Sequence, residues 1–129
     1  MKFFKEYVMI VLIIVFVILA EFITSKITCK VVEDINYYIN FLEEGIDNND
    51  IGDKMEKLSS QWRKSEIKLA FFMEHSELEK INADITNLRS NVYNRNNNNY
   101  EDIKELIDEI KYRLEYVKNK QKLGLKNIF

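Results

Sequence analysis

Tyr7-Val-Met-Ile-Val-Leu-Ile-Ile-Val-Phe-Val-Ile-Leu-Ala20 carries no charge, and how it is read decides the fold of everything around it. As a helix this stretch rises only ~21 Å, short of the ~30 Å hydrocarbon layer of a bilayer. Phe3 and Phe4 before it, and Phe22 and Ile23 after it, bring the span to about the required length. Lys5, Glu6 and Glu21 then lie near the interfaces, where long charged side chains reach water. A cleaved signal needs small residues one and three places before the cut. Leu19-Ala20-Glu21-Phe22 and Ile23-Thr24-Ser25-Lys26 lack that form, and Ile27-Thr28-Cys29 lacks the small residues that precede a lipoprotein cysteine. Residues 1–25 therefore read as an uncleaved membrane anchor with a cytoplasmic stub at 1–6; secretion after signal cleavage is the alternative. Lys2 and Lys5 precede the span and Glu21 follows it at once, so the positive-inside bias places the N-terminus in the cytoplasm and residues 26–129 outside the cell membrane.

Working outward, about 105 residues remain, enough for one modest core and not for two. The 129-residue chain has no proline and only three glycines, Gly45, Gly52 and Gly124. Proline removes a backbone donor and clashes with the preceding turn, so its absence favours long helices. The formal net charge is −2 with both signs spread along the chain. No basic stripe is present to neutralise a phosphate backbone, which argues against nucleic acid as a partner. Cys29 is the single cysteine, so no internal disulfide can form. It reads as a small apolar residue on a helix face, with cross-linking of two copies as the alternative.

Helical periodicity fills the rest. Ile27, Val31, Ile35, Tyr38, Leu42 and Ile46 recur every three or four residues, as one face of a helix does. No breaker separates them from the anchor, so the anchor is expected to run on into this first soluble helix, about 26–46. Gly45 and Asp47–Asp50 end it. Met55, Leu58, Trp62, Leu69 and Phe72 mark the buried stripe of a second helix, about 51–74. Ser76-Glu-Leu-Glu79 has the form of a capping box, a serine hydroxyl for the third amide and a glutamate reaching back, and opens a third helix at about 77–94. Leu78, Ile81, Ile85, Leu88 and Val92 form a heptad-like seam along it. Asn94–Asn99 reads as a tolerant loop. A fourth helix, about 100–121, turns Ile103, Leu106, Ile107, Ile110, Leu114 and Val117 inward.

The two hairpins resemble each other. A shift of forty-six residues carries Ile35, Ile39, Leu42 and Ile46 onto Ile81, Ile85, Leu88 and Val92; a shift of forty-eight carries Met55, Leu58 and Trp62 onto Ile103, Leu106 and Ile110. This suggests a duplicated hairpin, although any two amphipathic hairpins align in a similar way. The expected fold is all-α: a transmembrane helix continuing into an antiparallel four-helix bundle, with tetratricopeptide-like stacking as the alternative.

Chemistry is sparse. His75 is the lone histidine; a zinc site would want further His or Cys at fixed spacing, so His75 reads as a residue packing or hydrogen-bonding across the bend. Phosphate-loop and nucleophile-elbow motifs are absent. Asp47-Asn-Asn-Asp-Ile-Gly52 begins like a calcium loop, but Ile51 and Leu58 stand where ligands are required. Glu101, Glu105 and Glu109 read as a solvated face. No catalytic residue, cofactor or metal ligand is assigned, and the chain reads as no enzyme. Trp62 is expected as the largest core anchor. Tyr37, Phe41 and Phe71 fall off the stripes and together suggest an exposed contact patch for a protein partner; Tyr37 alternatively touches lipid headgroups. The apolar tail from Leu123 to Phe129 is expected to fold back on the bundle, since a free Ile-Phe end in water is costly.

The anchor, the Leu42-Glu-Glu-Gly-Ile46 helix end, Trp62, His75 leading into the third helix, and Leu125-Lys-Asn-Ile-Phe129 together resemble a bacterial family of short membrane proteins, the domain of unknown function four-three-six-three. Their order and spacing carry the resemblance, which covers nearly the whole chain. The acidic-Trp pair usual at the family's first turn is replaced here by Asp50-Ile51. The resemblance implies a single-pass membrane protein with a helical extracytoplasmic domain and no assigned activity. The expected role is an accessory or protein-interaction module bound to a membrane protein. The rivals are a self-associating structural protein and a ligand-sensing ectodomain acting through a partner.

Overall fold

A single helix, α1, runs from Lys2 to Glu44, about 65 Å, so the apolar run and the first amphipathic stripe share one backbone. In the computed structural model, residues 2–47, 49–96 and 98–128 are described, with side chains from 3 to 120 apart from 48 and 97. Up to Ile23 the apolar side chains of α1 are exposed or half-exposed; from Ser25 onward one side is buried. Nothing interrupts the helix where these halves meet, and Thr24 donates its hydroxyl to the Ala20 carbonyl at 2.8 Å within it. Among the described residues α1 is the one helix long and apolar enough to cross a membrane.

Three helices follow: α2 (Ile51–Leu69), α3 (His75–Tyr93) and α4 (Tyr100–Ile128). No strand occurs among the described residues. Each helix packs on its chain neighbours and α4 returns to α1, while the diagonal pairs α1–α3 and α2–α4 make no close backbone approach. The four therefore close a ring around one core, and the hairpins do not stack as open repeats.

The core is aliphatic and follows the sequence stripes. Ile35, Ile39, Leu42, Met55, Leu58, Ile81, Leu88, Ile103, Ile110 and Leu114 are fully buried. Each such side chain contributes about 1.5–3 kcal/mol of transfer free energy. The positions superposed between the hairpins are core positions in both, except that Leu106 is only partly covered.

Five local readings change. Helix α2 stops at Leu69 and not near 74: the amides of Phe72 and Met73 both return to the Leu69 carbonyl, at 2.9 and 2.8 Å. This tight turn brings Met73 onto the core and leaves Phe72 exposed, off the buried stripe assigned to it. The capping box at Ser76 and Glu79 does not form. The cap position is Glu74, without a side-chain cap bond, and the first amide bond runs from Leu78 to the Glu74 carbonyl, 3.2 Å. Because the helix starts at His75, Ser76 sits inside the first turn. Glu79 instead meets His75 Nε2 at 2.8 Å on the open surface, so His75 does not bridge the hairpin. Gly45 stands just past the end of α1, as expected, in a conformation that is not left-handed. It ends α1 by a tightened turn to the Leu42 carbonyl, 3.0 Å, and its missing side chain makes room for Lys54. The backbone of α4 continues helical to Ile128; the packing expected of Leu123–Phe129 lies outside the described side chains.

The asparagine loop is built, not merely tolerated. Asn96 Oδ1 accepts the amides of Asn98 and Asn99, and Asn99 Nδ2 donates to the Asn91 and Asn94 carbonyls at 3.0 and 3.1 Å. Asparagine amides of this kind replace backbone turn bonds. Arg95 then reaches the Ile46 carbonyl at 2.6 Å, joining the two loops at that end.

Candidate interaction surfaces

Beyond the apolar run, Tyr93, Tyr112 and Tyr116 are exposed on α3 and α4, and the aromatic residues that fall off the core stripes lie in two places. The first lies on the α1–α2 face. Tyr37 and Phe41, one turn apart on α1, stack with centroids 6.5 Å apart and planes 2° from parallel. Lys54 Nζ stands 4.4 Å from the Phe41 centroid and Lys57 Nζ 5.8 Å. Cations over a ring face are attracted by its quadrupole, so Phe41 is half-covered by two amines while Tyr37 stays 66% exposed. Tyr37 is fourteen residues beyond Ile23, ~21 Å of helix.

The second place is the α2–α3 corner. Phe71 is 80% exposed and Ile67 69%. With Phe72 they border an open groove of 490 Å³ whose other wall is Ile27, Lys30 and Val31 of α1. Phe71 and Phe72 contact at 6.4 Å. A smaller cleft of 190 Å³ continues around the corner between Phe72, Glu77 and Tyr116, where Lys120 approaches Glu74 at 3.4 Å. The structure thus brings Tyr37 and Phe41 together and separates Phe71 from them. From Lys57 to Phe71 is fourteen residues, most of a helix length. The three form two surfaces, because the helical period sets which residues face outward but not at which end of the bundle they lie.

Trp62 is buried and donates its indole N–H to Asn82 Oδ1 at 3.2 Å, tying α2 to α3. Two polar ties were invisible to the stripe reading. Asp84, nearly buried, accepts from Arg113 Nε at 2.7 Å, while Arg113 Nη2 also reaches Glu109 at 2.7 Å. The Asp84 hydrogen bond holds the Arg113 guanidinium pKa above its ordinary value. The only available signal was spacing: Asp84 is three residues after Ile81 and four before Leu88, on the seam. On the α2–α3 face Glu56 accepts from the Tyr93 hydroxyl and from Arg89. The Tyr93 bond, more than the Arg89 charge, draws the Glu56 carboxyl below its usual range. Both arrangements join helices at the surface. Ile51 and Leu58, the positions that depart from a calcium loop, are in the core, and among the described residues no three His, Cys, Asp or Glu side chains converge on one point.

Compared with known proteins, residues 22–128 match the model of a family described as a domain of unknown function, DUF4363. The match begins where the apolar run ends. No curated protein and no solved structure matches the chain.

Proposed function

The chain belongs to the DUF4363 family, and from that premise we propose that it is a single-pass membrane protein without catalytic activity, whose bundle stands outside the cell and binds a membrane-protein partner. The observation that carries this reading is the continuity of α1. Its first half exposes apolar side chains all round, and its second half is one wall of the bundle. An apolar helix that packs against nothing in its own chain is stable in hydrocarbon and costly in water. The lysines ahead of it favour a cytoplasmic N-terminus. An uninterrupted helix then fixes the height and azimuth of the Tyr37 face above the bilayer. Tyrosine beside lysine-capped phenylalanine suits a protein surface, because its ring offers large area with few torsions and a polar tip.

Photo-cross-linking in native membranes tests this. A photoreactive residue at Tyr37 is expected to give one discrete heteromeric adduct, and one at Asp108 on α4 none. Tyr37 adducts only with the chain itself would replace the accessory role by self-association. Release of the bundle from membranes by carbonate, or loss of residues 1–25 from the mature mass, would remove the anchor reading.

A further inference from the structure

The two ends of the bundle differ in a way that its own core does not require. At the far end the α1–α2 and α3–α4 connections are Asp, Asn, Gly and Arg apart from the buried Ile46, and Arg95 joins them through the Ile46 carbonyl. At the near end the α2–α3 connection is Ala70-Phe-Phe-Met-Glu74, apolar but for its last residue. Met73 serves the core; Phe71 does not, and Phe71, Phe72 and Ile67 face outward together. Connections facing water on every side are polar as a rule, and a contiguous apolar patch marks a contact surface.

The position of this corner along α1 indicates the partner. The groove bordered by Phe71 and Phe72 meets α1 at Ile27 and Val31. These are four and eight residues past Ile23, ~6–12 Å beyond the end of the apolar span. That range overlaps the headgroup layer, which occupies roughly 5–7 Å on each side of the hydrocarbon, and a tilt of ~20° toward the corner, within the usual range for such helices, lowers it further. Lys30 and Lys68 line the same groove with Asp34 the acid among them, and Lys26 lies one turn nearer the span, its amine 4.9 Å from the Phe22 ring. Aromatic and aliphatic tips with lysines behind them are what a lipid interface accepts.

We propose that the α2–α3 corner is a second membrane contact: Phe71, Phe72 and Ile67 seat in the headgroup boundary of the bilayer that holds α1, with Lys30 and Lys68 against lipid phosphates. The inference rests on the anchor reading. It gives the bundle two points of support, the α1 stalk and the aromatic corner, so that it leans in a defined direction.

The test uses the full-length chain in vesicles of phosphatidylcholine with a minor share of phosphatidylglycerol. Nitroxide labels are placed singly, in a Cys29→Ser background, at Ile14→Cys, Ala70→Cys and Asp47→Cys. Collision with oxygen relative to a water-soluble nickel chelate reports depth. Expected is a hydrocarbon value at position 14, a headgroup value at 70 and a water value at 47. Adding Phe71→Ser and Phe72→Ser should return position 70 to the water value with the helical circular dichroism unchanged. A water value at 70 with position 14 still in hydrocarbon overturns the corner contact and leaves the anchor standing. A label at 70 shielded from both reagents would mean that protein covers the corner, and also overturns it. A water value at position 14 overturns the anchor reading, and the corner contact with it.

Discussion

Trp62 ties α2 to α3 by combining the largest buried side chain with a hydrogen bond to Asn82. Trp62→Ala should cost about 3–5 kcal/mol; Trp62→Phe, which keeps most of the volume but leaves Asn82 without its donor, should cost roughly 1–3 kcal/mol. Urea unfolding followed by circular dichroism measures both. Asp84→Ala strands the Arg113 guanidinium at a partly buried site and should cost about 1.5–3 kcal/mol, whereas Glu109→Ala, on the open side of the same arginine, should cost under about 1 kcal/mol. Glu56 gives a pH signature. Its folded pKa lies below the ordinary 4.5, so its contribution to stability is fully present above the unfolded pKa. That contribution is lost as pH falls through the folded value. Tyr93→Phe removes the leading cause of the depression. The Glu56 carboxyl midpoint, followed by carbon NMR, should rise toward 4.5; an unchanged midpoint would mean that the Tyr93 hydroxyl does not hold it down.

At the scale of the element, the stripes were legible because burial repeats with the helical period: every residue assigned to the α3 seam is buried. The helix ends were harder. Ser76 and Glu79 satisfy a capping pattern that any short Ser-x-x-Glu run satisfies, and the start of α3 was set instead by the turn that carries Met73 inward. Gly45 was legible as a helix end, but not that its missing side chain admits a close approach by Lys54. Gly45→Ala should leave α1 intact and displace the Lys54 amine from the Phe41 ring, visible as a change in the ring-current shift of the Lys54 ε-protons. The continuity of α1 was also legible, since no Pro or Gly stands between Ala20 and Glu44. Thr24→Pro, which deletes a helical amide bond at about 3 kcal/mol locally, should leave the bundle's unfolding midpoint unchanged. It should broaden the spin-label distance distribution between positions 14 and 47. A distribution as narrow as that of the unsubstituted chain would mean that the two halves are held together by something besides the helix.

For the whole molecule, ring closure makes α4 indispensable, since it covers both α1 and α3. A chain ended after Asn94 should lose cooperative unfolding and bind a hydrophobic dye, because the exposed flanks of α1 and α3 have no other cover. What the sequence could not supply was which outward residues share an end of the bundle: that depends on the antiparallel register, which brings Phe71 level with Ile27 and keeps it far from Tyr37. One consequence of the unbroken α1 concerns phase. Each residue of an α-helix advances the chain by about 100° of rotation and 1.5 Å of rise. A single residue added between Ile23 and Ser25 would therefore swing Tyr37 and the aromatic corner about a quarter-turn around the α1 axis, relative to the apolar run, while scarcely raising them. Four residues would nearly restore the bearing, one turn higher. The stretch between the apolar run and the bundle is in effect an indexing shaft, and natural length variation in it should be confined to steps that preserve the bearing of the domain relative to that run.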